Sequence, residues 1–219
     1  MDSNVCVEII STIVSTILSI VSIGIAICAL CRTKKQIELS NKHKLFDRRL
    51  EKYTLLSKLL KNYEKQRALL LQKKYLIDPV TLLGALVNAH YYDGFIEYSG
   101  DKKSSVNYEK FNSKYELLIL KAKEIDILWQ NDDGKIVGEF LELYAKVIYC
   151  LYLQIEYMYN LLSLKNLDIG ECSKISNDLE EGASESGLVN AIEDIDKIYS
   201  LIIENKIDEK LKSTIKLED

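Results

Sequence analysis

The side chains able to move a proton near neutral pH are few. The chain has two histidines, His43 in a basic stretch and His90 in the run His90, Tyr91, Tyr92, Asp93. Three residues apart, His90 and Asp93 can share a helix face and form an acid–base pair, although a plain hydrogen bond uses the same spacing. Neither histidine has a second histidine or a cysteine at metal-binding distance, so no metal is expected. The five cysteines are Cys6, Cys28, Cys31, Cys150 and Cys172. The first three stand in or beside an apolar N-terminal run, with no second pair to complete a zinc site. Burial or lipidation suits them better than catalysis.

Larger motifs are missing as well. There is no phosphate-binding GxxxxGK[ST] loop, GxSxG elbow or GxGxxG turn, so no catalytic residue and no cofactor is expected. No arginine precedes either histidine with four to six residues between them, the spacing often carried by small all-helical RNases of bacterial immunity. Fourteen tyrosines offer flat faces, among them Tyr144, Tyr149, Tyr152, Tyr157 and Tyr159. Such faces can cradle a nucleotide or peptide, but their helical spacing points to core and interface packing.

The elements that would position these groups follow from composition. At 219 residues, 47% hydrophobic and 28% charged, the chain can bury a core and is too charged to cross a membrane many times. One proline and nine glycines leave helix as the prevailing conformation. The net charge of −4 hides an asymmetry: residues 1–31 carry −2, residues 32–49 carry +5, and residues 50–219 carry −7. A basic band beside an apolar run marks a membrane boundary, and no nucleic-acid partner is expected.

From Ile9 to Cys31 no residue is charged. As a helix this run reaches about 35 Å, enough for one crossing. A cleavable signal peptide would have a basic front and a shorter apolar core, neither of which is present. The expected organisation is a short extracytoplasmic N-terminus (1–8), a transmembrane helix (9–31), a basic juxtamembrane stretch continuing into helix (32–49) and a cytoplasmic helical-bundle domain (50–219). Arg32, Lys34, Lys35, Lys42, Lys44, Arg48 and Arg49 form a collar that should face anionic lipid headgroups and hold the N-terminus outside. The unpaired cysteines suit a reducing cytoplasm. Within the anchor, Ser11, Ser15, Ser19, Ser22 and Ala26, continued by Ala29, fall on one stripe where two helices can approach closely and self-associate, or in a larger assembly line a pore. The alternative is a monomeric anchor whose hydroxyls bond back to their own helix.

The rest reads as all-α, a bundle of about five helices. The first extends to about Leu76, with Leu39, Phe46, Leu50, Tyr53, Leu56, Leu60, Tyr63 and Leu70 on one side and Ser40–Asn41 as the place for a break. Asp78 and Pro79 should cap and start a second helix to about Tyr98. A third is expected over Val106–Gln130 and a fourth, apolar over most of its surface, over Ile136–Leu164. Lys146, Gln154 and Glu156 argue against the fourth being a second membrane span. Residues 170–187 read as a mobile acidic connection, and a last helix is expected over Leu188–Leu211.

Lys35-Gln36-Ile37-Glu38-Leu39-Ser40-Asn41-Lys42, then Leu45-Phe46-Asp47-Arg48-Arg49-Leu50 and Tyr53, follow the apolar run directly. This arrangement resembles a loose group of uncharacterised bacterial single-pass proteins with an LSNK, then LFDxRLxxY, juxtamembrane pattern. The resemblance covers residues 5 to 60 and implies a plasma-membrane protein, in some cases tied to phage defence or stress. Three functions remain open: a non-enzymatic membrane-anchored interaction or effector protein that oligomerises and receives a cytoplasmic protein partner, a passive tether or scaffold for such a partner, and an enzyme using His90 and Asp93.

Overall fold

A computed structural model describes residues 3–87, 108–167 and 175–215, and their regular secondary structure is helical throughout. The helices are α1 (Ser3–Leu71), α2 (Pro79–Val87), α3 (Tyr108–Trp129), α4 (Asp132–Lys165), α5 (Ser176–Glu185), α6 (Leu188–Glu204) and α7 (Ile207–Ser213), with a 3-10 turn at Lys74–Leu76. His90, Asp93 and Cys172 lie outside the described residues. The chain divides into two units, Met1–Arg48 with Leu217–Asp219, and Arg49–Lys216, and α1 carries residues of both.

In the first unit α1 is helical through Ser40 and Asn41, so the cap-forming pair does not break it. Among the described residues, α1 holds the one stretch long and apolar enough to cross a membrane, with mean hydropathy 2.5 and no buried side chain.

The second unit is built on α4. Expected to begin at Ile136, this helix starts at Asp132 because the Asn131 side chain accepts a hydrogen bond from the Gly134 N–H at 2.7 Å. A cluster that reads as a turn is thus an N-cap, and Asp132 and Asp133 in the first turn favour the positive end of the helix. Phe140, Leu141, Tyr144, Val147, Ile148, Leu151 and Ile155 are buried on it. Each such side chain stabilises the fold by roughly 1.5–3 kcal/mol of burial. The helix packs against α2, α3, α5, α6 and α7. Gly138 lets α3 come close, since a Cβ there would sit 3.2 Å from the Ala122 carbonyl oxygen.

Of the apolar stripe expected on α1, Leu56, Leu60, Tyr63 and Leu70 are buried, joined by Leu55 and Leu59. Leu39 and Leu50 are exposed and Phe46 is half-buried, so of this stripe the residues packed against the hydrophobic core begin at Tyr53, itself half-buried. α1 ends at Leu71, earlier than expected, with left-handed Lys73 (φ 55°) leading into the 3-10 turn. The Asp78 carboxylate then accepts from the Thr81 N–H at 3.0 Å, capping α2 as its Asp-Pro start requires.

Two expectations fail toward the C-terminus. The acidic connection contains α5, whose Leu179 and Ala183, four apart, are buried together with Ile175. Gly182 sustains that helix by close contact, because a Cβ there would lie 2.4 Å from the Tyr157 ring. Only at Gly187, with φ +74°, does the chain turn into α6. The last helix is in fact two, separated at Asn205 and left-handed Lys206 (φ 51°).

Candidate functional site

Ser11, Ser15, Ser19, Ser22 and Ala26 are all exposed on α1. The four serines and Val14, Leu18 and Ile23 line a shallow groove along the helix surface. Hydroxyl groups here point back: Ser19 donates to the Ser15 carbonyl at 2.9 Å, Ser22 to Leu18 at 2.8 Å and Thr16 to Thr12 at 2.8 Å. Each donor is thereby satisfied within its own helix, while the hydroxyl oxygens keep lone pairs to offer. What remains on the face is small and smooth, suited to close approach of another helix.

Six collar residues, Arg32, Lys34, Lys35, Lys42, Lys44 and Arg48, are exposed on α1, as is His43. Arg49 differs. It is half-buried in the second unit, and its guanidinium Nη2 donates to the Leu128 carbonyl at 3.2 Å. That bond directs its charge to the end of α3.

Inside the second unit polar side chains fasten helices. Asn62 Nδ2 donates to the Ala85 and Leu86 carbonyls (3.1 and 2.9 Å) and to the Tyr144 hydroxyl (2.9 Å), which itself donates to Leu86 at 2.8 Å. These bonds tie α1 and α4 to the α2 backbone at Ala85 and Leu86. Lys52, almost wholly buried, pairs with Glu124 and with Glu51 (3.3 Å), and Glu51 also takes Lys121 (2.6 Å). Arg67 makes a two-pronged contact with Asp196, Nε to Oδ1 at 2.5 Å and Nη2 to Oδ2 at 3.0 Å. The same guanidinium lies over the Tyr199 ring at 5.4 Å, and the Tyr63 hydroxyl donates to Asp196 at 3.2 Å.

These contacts shift ionisation in the direction of fastening. Hydrogen bonds from Arg67 hold the Asp196 carboxyl below its usual range, burial opposes them, and the Arg67 charge and the Tyr63 hydroxyl add to the lowering. Burial pushes the Tyr63 and Tyr144 phenols far up and raises the Cys150 thiol, whose Sγ donates to the Ser186 carbonyl at 3.2 Å. A neutral, enclosed thiol is a poor nucleophile. For Asp196 the sign is plain: a carboxyl lowered on folding stabilises above its unfolded value of 3.8, and that stability is lost as pH falls through the folded value. The urea midpoint should therefore hold steady from about pH 7 to pH 5 and fall below about pH 4. Asp196→Asn should lower the neutral-pH midpoint and flatten the acid fall. Parallel pH curves for the two proteins would refute this assignment.

Tyr144 and Tyr152 are buried and Tyr149, Tyr157 and Tyr159 half-buried, as packing residues. Phe111 stacks on Tyr152 with centroids 4.5 Å apart, and Tyr63 meets Tyr199 at 5.0 Å. No three of His, Cys, Asp and Glu gather to hold a metal among the described residues. Sequence reasoning overlooked the Lys52–Glu124, Arg67–Asp196 and Asn62–Tyr144 pairs. The available clue was Asn62 and Arg67 flanking Tyr63 on the apolar side of α1. No family model, curated protein or solved structure matches the chain.

Proposed function

We propose that the chain is a single-pass protein of the bacterial plasma membrane, its N-terminus outside and its helical domain in the cytoplasm, acting as a non-enzymatic interaction or effector protein. One observation carries this reading. From Ser11 through Leu30 every side chain of α1 is exposed, and nearly all are apolar or small. Water would penalise such a surface at roughly 25 cal/mol per Å², and lipid removes the penalty. The serine face then meets a second copy, the collar meets anionic headgroups, and the second unit receives a cytoplasmic protein partner. A role in phage defence or stress is supported by the juxtamembrane resemblance.

The test uses cysteine crosslinking in native membranes, with Cys6, Cys28, Cys31 and Cys172 replaced by alanine and the buried Cys150 kept. Ser15→Cys and Ser19→Cys should give covalent dimers at least five times more readily than Ile13→Cys or Ile20→Cys, which lie on the opposite side of the helix. Monomers at every position would defeat self-association. The back-bonded hydroxyls favour a second reading, a monomeric tether that merely localises its partner. An effector must also depolarise membranes or arrest growth on activation, whereas a tether leaves the barrier intact.

A further inference from the structure

α7 is seven residues long, and a helix so short does not hold its shape in water unaided. Two side chains, Ile207 and Leu211, one turn apart, bury themselves in the core as the helix lies against α4 and α6. Its polar attachments are slight. The Tyr53 hydroxyl donates to Asp208 Oδ2 across 3.4 Å, Lys210 approaches Asp133 at 3.9 Å, and just past the helix Thr214 accepts from the Trp129 indole N–H at 2.8 Å. Against them stand three unfavourable features in the same corner. Among the described residues Asp208 Oδ1 is enclosed with no donor and Arg49 Nε with no acceptor, and Lys206 enters the helix in the left-handed region. Arg49 and Tyr53 are one turn apart on α1, so both half-met charges lie along the path by which α7 is fixed. α6 is held otherwise: Ile192, Ile195, Tyr199 and Ile202 are buried, and the two-pronged Arg67–Asp196 contact ties it to α1.

We propose that α7 is a releasable strap. It swings on Asn205 and Lys206, opens while α6 stays docked, and when raised gives Arg49 and Asp208 to water and bares the apolar seat of Ile207 and Leu211. Arg49 and Asp208 are half-buried, and the one enclosed atom on each that has unmet hydrogen-bonding capacity opposes closure, because water satisfies it and the closed strap does not. The device is independent of how the anchor is used.

Amide hydrogen exchange on the full chain in detergent micelles tests it. The hydrogen-bonded amides from Lys210 to Thr214 should exchange at least tenfold faster than those from Ile195 to Ile202. In the triple variant R49M/Y53F/D208L, which replaces the half-met polar set with apolar groups, exchange over Lys210–Thr214 should slow about tenfold while α6 is unchanged. Equal protection of α6 and α7 in the unaltered chain would overturn the proposal. So would a triple variant with intact α6 protection whose α7 exchanges as fast as before or faster.

Discussion

Phe140→Ala should lower the unfolding free energy of the second unit by about 3–5 kcal/mol, the range for deleting a fully buried aromatic side chain. Phe140 has no exposed surface and sits where α1, α4 and α6 meet. The Tyr63 ring meets it edge-on at 5.9 Å and 86°, with Tyr144 at 6.0 Å and Tyr199 at 6.5 Å. Three aromatic neighbours, two of them also held by hydrogen bonds to Asp196 or Leu86, cannot collapse into the space left behind. Since whole domains are stable by only about 5–15 kcal/mol, the variant should unfold at a markedly lower urea concentration. Phe140→Leu, which keeps most of the volume, should cost much less. A loss below about 1 kcal/mol in Phe140→Ala would mean that this meeting point is not the centre of the core.

The second large effect concerns the anchor. Placing lysines at Leu18 and Val21 should convert the chain from a carbonate-resistant membrane protein into one recovered mainly in the soluble or aggregated fraction. Each lysine near the middle of a spanning helix costs about 2.5–3.5 kcal/mol on insertion scales. Leu18 and Val21 are exposed on a run that has no charge to share with them. The same substitutions at Ile37 and Leu39, among the basic collar residues, should leave fractionation unchanged. A double Leu18→Lys/Val21→Lys protein that still resists carbonate would refute insertion of this segment.

How much could be read from the sequence depended on the kind of signal. Uninterrupted apolarity from Ile9 to Cys31 and the 3.6-residue rhythm of Leu56, Leu60 and Tyr63 are local properties, and both reappear as helix surface and buried face. The Asp78–Pro79 start of α2 was legible for the same reason. Glycine misled. Gly134 and Gly182 read as breaks, yet one completes an N-cap and the other admits the Tyr157 ring. Whether a glycine ends a helix or lets a neighbour in depends on what lies across from it, and that information is not local. The ion pairs were hidden likewise: Arg67 and Asp196 are 129 residues apart, and nothing in either neighbourhood names the other. On the anchor, the serine face was visible as spacing, whereas the direction of its hydroxyls required backbone coordinates.

Trp129 is the only tryptophan in the chain, and its indole is fixed at the end of α3 by Thr214. Nature has thus installed one intrinsic fluorophore at one corner of the second unit. Its emission wavelength and quenching by iodide are a site-specific optical readout that needs no dye. Any spectral change on adding a candidate binding protein that itself lacks tryptophan can be assigned to that corner without deconvolution.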